Sequence, residues 1–348
     1  MPATTPTRRF SLWMLFAAPA LVGATPTPQT STPTPTAAPP AQQAPDEAST
    51  TGEVVPFVQP FDLDATRRMS VKVMIGDEGP FSFLVDTGAE RTVIARELAA
   101  RLDLVEGQKL RMATIGSGAT VPSFRVAALQ MTNLRLEEFD APAFFGRHIG
   151  AAGLIGVDML EDRRLLIDFR NESMKILETH RRARPVIRDR DAIVVTARNS
   201  AGRLILSDAR IGDRRIDVIV DTGAQTSVGN MALMKLVASR RENRVPFFSA
   251  TLGAVTGEDV PATRTAIRRI TIGGIDINDL PISFADGQAF RVLGLHERPA
   301  LLLGMDSLSL FDRIEIDYPN KRVVFDMPDA AQRPAGYRFA ASDLRPGS

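Results

Sequence analysis

The sequence predicts a mainly β protein made of two homologous lobes in one chain, and three observations carry that prediction. The stretch Phe83-Leu84-Val85-Asp86-Thr87-Gly88-Ala89 is an apolar run that stops at a carboxylate and a glycine. It returns as Val218-Ile219-Val220-Asp221-Thr222-Gly223-Ala224, 135 residues later. Around each copy, short segments that alternate apolar and polar residues are punctuated by glycine and proline, the pattern of strands and turns. From average residue usage a bare Asp-Thr-Gly occurs by chance about once in several thousand positions, so two copies in matching surroundings are no accident.

Size and composition permit this organisation. The 348 residues are 44% hydrophobic, enough for two modest cores once the N-terminal segment is set aside. Lys and Arg total 42 against 41 Asp and Glu, which leaves no electrostatic footprint for nucleic acid. Cysteine is absent, so disulfides, thiol catalysis and zinc-thiolate sites are excluded. Three histidines leave little from which to build a His-rich metal site or a Ser-His-Asp triad, and the composition calls for no metal and no cofactor.

Arg8 and Arg9 precede an apolar segment from Phe10 to about Ala24 that ends in small residues, the layout of a signal peptide over 1–24. The adjacent arginines leave twin-arginine export open. The destination is the periplasm or another compartment outside the cytoplasm; an uncleaved leader would instead tether the chain to a membrane. Residues 25–52 are dense in Pro and Thr and lack an aromatic residue, so they cannot bury enough apolar surface to offset ordering and read as a disordered tether.

The first lobe is expected over 53–180. Strands at 68–76 and 81–85 lead into Asp86, a helix follows at 95–104, and a hairpin at 114–122 carries Gly116 and Gly118. Leu154-Ile155-Gly156 closes on a glycine, Asp158 follows, and a strand-rich tail occupies 165–177. The second lobe, over 181–330, repeats the order: strands at 204–212 and 216–220 entering Asp221, a helix at 231–239, and a hairpin at 251–261 with Gly253 and Gly257. Leu302-Leu303-Gly304, Asp306 and a tail at 314–327 complete it, and 331–348 form a C-terminal tail. Between the lobes, arginines crowd around Pro185 in what reads as a solvated linker.

One Asp-Thr-Gly after a strand could be a plain turn. Two copies on lobes packed about a pseudo-two-fold axis bring equivalent loops face to face. Asp86 and Asp221 would then share one proton, because two close carboxylates cannot both ionise cheaply. The ionised member can take a proton from a water while the protonated one gives its proton to a carbonyl oxygen, which cleaves a peptide bond without metal or covalent intermediate.

With Asp86-Thr87-Gly88-Ala89 and Thr92-Val93-Ile94, Asp221-Thr222-Gly223-Ala224 and Ser227-Val228, and the two apolar-apolar-Gly motifs, the chain resembles the retropepsin-like (retroviral-type) aspartic proteases in their bacterial exported, two-lobed form. The resemblance covers most of 54–327. It implies two acid-protease β-barrel lobes in a pepsin-like pseudo-two-fold arrangement and an aspartic endopeptidase acting on a peptide or protein substrate, as a monomer whose lobes pair within the chain. It implies that Asp86 and Asp221 form the catalytic dyad and that Thr87 and Thr222 lock the two loops together. Gly88 and Gly223 would allow a tight turn beneath the water, Gly156 and Gly304 would brace the loops, and the hairpins at Gly116, Gly118, Gly253 and Gly257 would be flaps. The alternative is a non-catalytic, duplicated peptide-binding module of the same fold. Ala89 and Ala224 stand where pepsins carry Ser or Thr, which implies an optimum less acid than pepsin's. His148 and His296, each eight residues before a bracing glycine, read as turn residues, and Asp158 and Asp306 as helix N-caps.

Overall fold

Along residues 69–75 every second side chain is apolar and buried, so one face of this first strand, β1 (Met69–Ile75), can only be a core face. The computed structural model describes residues 68–328 except 132–133, 190–191 and 201, together with short paired fragments at 9–11, 16–17, 59–60, 62–63 and 340–341. The expected leader, tether and C-terminal tail otherwise lie outside the described residues.

After β1 come β2 (Glu78–Val85), β3 (Val93–Ala95), α1 (Arg96–Arg101), β4 (Leu110–Ala113), β5 (Gly118–Val121), β6 (Ser123–Met131), β7 (Leu134–Phe144), α2 (Gly146–Ile149) and β8 (Gly153–Ile155). The order β1-β2-β8-β3-β7-β6 closes on itself, because Leu129 and Gln130 of β6 pair back to Ile75 and Met74 of β1. Closure leaves the lobe without a long free edge. β4 and β5 form a separate hairpin, the expected flap. The helix expected over 95–104 ends at Arg101, and Asp103 adopts a left-handed φ of 50° that cannot continue a helix.

β9 (Arg163–Asp168) and β10 (Ser173–Glu178) end the first copy. The second comprises β11 (Ile193–Ser200), β12 (Arg203–Ile211), β13 (Arg214–Val220), β14 (Val228–Gly229), α3 (Met231–Ser239), β15 (Phe248–Gly253), β16 (Asp259–Ile272), β17 (Ile275–Phe284), α4 (Gln288–Val292), β18 (Ala300–Leu303), α5 (Met305–Leu308), β19 (Arg313–Asp317) and β20 (Arg322–Asp326). Here β12-β13-β18-β14-β17-β16 closes in the same way, through Ala209 and Arg210 against Ile272 and Thr271. Over the described residues the protein is mainly β, 52% strand and 13% helix, with two lobes of the same strand order in tandem.

The two strand-rich tails join each other. β9 runs antiparallel to β19, with Arg164 opposite Asp317 and Asp168 opposite Arg313, so the equivalent strands of the two copies pair with each other. The joined sheet runs β10-β9-β19-β20-β11 and continues into β12. Arg164 bonds to Asp317 at 2.7 Å and lies 3.2 Å from Glu315, and both carboxylates are fully buried. Glu315 Oε2 in turn accepts the amides of Val186 and Ile187, which fixes the interlobe linker on this sheet while Arg181, Arg182, Arg184 and Arg188 stay exposed. Buried charges paired in this way hold one geometry, because removing either partner leaves the other stranded in low dielectric.

Candidate active site

Each apolar run delivers its aspartate to the same place. β8 lies parallel to β2, and the amide of Asp86 donates to Ile155 O at 2.9 Å; β18 lies parallel to β13, and the amide of Asp221 donates to Leu303 O at 3.0 Å. Beyond those strands the chain must turn at once. The turn closes on the carboxylate itself: Asp86 Oδ1 accepts from the amides of Gly88 (2.8 Å) and Ala89 (2.9 Å). In the second loop Asp221 Oδ1 accepts from Gly223 and Ala224, both at 3.1 Å. Neither aspartate is exposed to solvent, and neither Oδ2 takes a hydrogen bond from the described residues.

The two loops are interlocked through their threonines. Thr87 Oγ1 donates to Val220 O (2.9 Å) and accepts from the amide of Thr222 (3.1 Å). Reciprocally, Thr222 Oγ1 donates to Val85 O (2.7 Å) and accepts from the amide of Thr87 (3.1 Å). The two loop glycines are needed for close approach and not for the turn, since neither has the positive φ that other residues avoid. A Cβ on Gly88 would stand 2.6 Å from Asp221 Oδ1, and one on Gly223 would overlap the Asp86 carboxyl group. Each carboxylate thus lies against the other loop's glycine.

Electrostatics follow from this packing. Burial, only partly offset by the amides of Gly88 and Ala89 and by Arg203 and Arg68, pushes Asp86 up to about 7. Asp221 is raised well above the usual carboxylate range, first by burial and then by the charge of Asp86. Two groups so placed titrate as a pair, the second proton leaving only against the first charge.

Gly156 and Gly304 lie close against the loops. A Cβ on Gly156 would lie 2.6 Å from Arg91 O, and one on Gly304 2.7 Å from the Thr226 carbonyl carbon, so both sit flush against the chain that leaves the aspartate loop. Asp158 and Asp306 do a different job from the one the sequence suggests. The residues that begin the short helices are Gly156 and Gly304, not the aspartates, and no side chain caps either helix. Instead Asp158 accepts from the amide and hydroxyl of Thr92 at 2.8 and 2.7 Å, and Asp306 accepts from the amide and hydroxyl of Ser227 at 3.1 and 2.8 Å. Those hydroxyls then accept from the amides of Gly156 and Gly304. The acids therefore hold the returning chain to the bracing motif, 66 and 79 residues away. Burial raises the pKa of both.

The two hairpins meet at their tips. Ser117, between Gly116 and Gly118, donates to Glu258 Oε2 at 2.8 Å, and a Cβ on Gly116 would lie 2.6 Å from that same oxygen. Gly253 ends β15, and Gly257 turns with a φ of +87° that other residues rarely adopt. A Cβ on Gly257 would lie 2.7 Å from His148 Nε2. His148, expected to be only a turn residue, is thus where the first lobe touches the second hairpin; burial and then Arg147 hold its imidazole toward the neutral form. His296 has no such role and is exposed.

Three neighbours of the dyad were not singled out by the sequence. Arg203 is fully buried at the start of β12 and donates from Nε to Gly88 O at 2.8 Å, while Arg68 stands at the same place in the first copy, eighteen residues before its aspartate. Tyr318 is buried in the turn after β19 and is pushed up by burial and by Asp86. An arginine repeated at one offset before both motifs was the signal available.

Comparison with known families agrees with this geometry. The aspartyl protease family matches residues 71–159, and the gag-polyprotein aspartyl protease family matches residues 207–310. The first match spans β1 to the helix after Gly156, and the second runs from β12 past Gly304. No curated protein matches the chain.

Proposed function

Because the chain belongs to the retropepsin-like aspartic proteases, with two such lobes in tandem, we propose that it is an exported endopeptidase that hydrolyses peptide bonds with a water activated between Asp86 and Asp221. The observation that carries this reading is the placement of each buried carboxylate against the other loop's glycine, with the threonines locking the pair. Two carboxylates in that setting hold one proton between them. The ionised one removes a proton from water as the oxygen attacks the carbonyl carbon, and the protonated one delivers its proton to the carbonyl oxygen. No part of this requires a metal, a cofactor or a covalent intermediate.

The substrate is an extended peptide. β4 and β15 present hairpin edges that accept added strands: the backbone of 16–17 pairs with 112–113, and that of 9–11 with 251–253. Strand addition binds main chain, so specificity is left to the pockets for alternate side chains. The Ser117–Glu258 contact between hairpin tips would part to admit the peptide and re-form to exclude water. Both halves of the dyad come from one chain, so the active species is a monomer. Export rests on the basic and apolar leader, and periplasmic or other extracytoplasmic residence follows from it.

The dyad also sets the working pH. With Asp86 titrating near 7 and no hydroxyl at Ala89 or Ala224 to lower it, activity rises from mildly acid toward neutral pH instead of peaking where pepsin does. Digestion of casein or a peptide library by the purified protein, beside Asp86→Asn and Asp221→Asn, tests the proposal. Cleavage by the parent and by neither variant is expected. An inert parent between mildly acid and neutral pH overturns the enzyme reading, and a fully active single variant overturns the shared dyad.

A further inference from the structure

The two hairpins are seated on opposite lobes, and the seats differ in chemistry. α4 follows β17 in the second lobe as α2 follows β7 in the first. The tip of the first hairpin rests at the start of α4. There Ile115 is fully buried, its carbonyl accepts from the amide of Gln288 at 3.3 Å, and a Cβ on Gly287 would lie 2.5 Å from its Cδ1. An aliphatic side chain and a peptide bond make that seat, and neither titrates. The tip of the second hairpin carries fully buried Val255 and lays Gly257 on the imidazole of His148, in α2. A Cβ on Gly257 would stand 2.7 Å from Nε2 and 2.9 Å from Nδ1, so only glycine lets the chain lie on the ring.

The seat of the second hairpin is therefore the one that holds a titratable group. Nε2 of His148 accepts from Arg147 Nε at 3.2 Å, which puts the single ring proton on Nδ1. Nδ1 is buried without a well-aligned partner among the described residues. A second proton would have to enter at Nε2, break the Arg147 bond and set two cations side by side under the hairpin. Few other groups face the ring. From α1, Glu97 accepts the amide of Gly146 at 2.7 Å, and Arg96 joins Arg147 over the ring of Phe145, which packs edge-on to His148 at 5.8 Å. The hairpin offers the backbone of Val255, while Glu258, next after Gly257, is engaged with Ser117 of the first hairpin. Burial and then Arg147 lower the imidazole, and Glu97 and the Val255 backbone offset them only in part.

We propose that His148 is a positioning residue that seats the second hairpin against the first lobe while its ring is neutral, so that acid releases this hairpin and leaves the first in place. The proposal rests on the hydrolysis reading for its consequence alone. Linkage fixes the sign: the seated hairpin weakens proton binding at His148, so seating is complete above the ordinary imidazole value of 6.5 and is lost as pH falls below it. A peptide gripped by one hairpin is bound less tightly, so KM rises on acidification in a step separate from the titration of the dyad.

The test reads the ring and the hairpin directly. The full-length chain has three histidines, so 13C-histidine NMR can follow His148 once it is assigned with His148→Phe. His148 should bind its proton at least about threefold more weakly than an ordinary imidazole side chain, and Gly257→Ala, which lifts the hairpin off the ring, should bring it back toward the ordinary value. Hydrogen exchange then follows the two hairpins. Between about pH 7.5 and about pH 5.5 the protection of 251–261 should fall about threefold to tenfold relative to that of 114–122, about tenfold being the most that one imidazole can deliver there. His148→Phe, uncharged at every pH, should abolish that fall and also the rise in KM for an oligopeptide, while kcat keeps its pH profile; His148→Gln serves if the phenylalanine variant does not fold. The proposal is overturned by a His148 that titrates at or above the ordinary value or is unmoved by Gly257→Ala, by a protection ratio that does not change with pH, or by the same change in the His148 variant. A parent that cleaves no peptide would sink the hydrolysis reading and leave the titration and exchange results standing, so the two failures are separable.

Discussion

Replacing Thr87 by Val removes one oxygen and almost no volume, so its effect isolates the hydrogen bonds that join the lobes. The hydroxyl donates to Val220 O at 2.9 Å and accepts from the amide of Thr222 at 3.1 Å, in surroundings where Thr87 is 3% exposed. Valine leaves both backbone groups buried and unpaired, at roughly 1–3 kcal/mol each, and regains about 0.8 kcal/mol from the added buried methyl. The expected net loss is about 1–5 kcal/mol, a large part of a typical total of about 5–15 kcal/mol. Urea unfolding at neutral pH reads it as a lowered midpoint with an unchanged slope. Thr87→Ser keeps the oxygen and should lose less than about 1 kcal/mol. A valine variant as stable as the parent, or a serine variant as unstable as the valine one, would refute the reasoning. Because Thr87 Oγ1 and Thr222 Oγ1 approach to 3.4 Å, Thr87→Val with Thr222→Val should cost less than the two single changes together.

Gly223→Ala places a methyl group against Asp86 and must displace its carboxyl group, so peptide turnover should fall by about a hundredfold or more while the protein still folds. Asp158→Ala removes two hydrogen bonds to Thr92 and should lower stability by roughly 1–3 kcal/mol, read by thermal or urea unfolding, with Asp158→Asn losing less. The dyad should make the protein less stable as pH rises. Asp86 has its folded pKa raised from 3.8 to about 7, so the folded state binds more protons across that window and stability is lost as pH climbs through it. Asp86→Asn should therefore be more stable than the parent at pH 7, with the gap closing toward pH 4; a gap that widens on acidification would contradict the raised pKa.

How much of this could be read from residues alone depends on how far apart the cooperating residues lie. The strands into Asp86 and Asp221 were legible because alternation and the stop at Asp-Thr-Gly are local signals, and the bracing glycines because an apolar pair closing on glycine is short. Asp158 was misread for the same reason. An acid at the head of a short helix looks like a cap, and only the fold brings Thr92 to it from 66 residues away. The tails at 165–177 and 314–327 were recognised as strands, but their pairing to each other is set by the symmetry of the assembled lobes and leaves no trace in either stretch. Arg203 begins a strand after a glycine, where an arginine is ordinarily exposed; its burial is created by the loop of the other lobe.

Those residues share a property that bears on what a two-lobed chain can do. In a symmetric dimer of single lobes every contact occurs twice, so the two aspartates must have the same environment until substrate arrives. Here the copies are free to differ, and they differ at the seam: Glu90 against Gln225, Tyr318 against Phe169, a half-buried His148 against an exposed His296, and a second hairpin longer by two residues. None of these changes touches the four groups the chemistry needs, the two carboxylates and the two threonines. They alter what stands behind one loop and what rests on one flap. A reaction that asks one carboxylate to accept a proton and the other to supply one gains from such a difference, because the correct protonation state is then populated before the peptide binds.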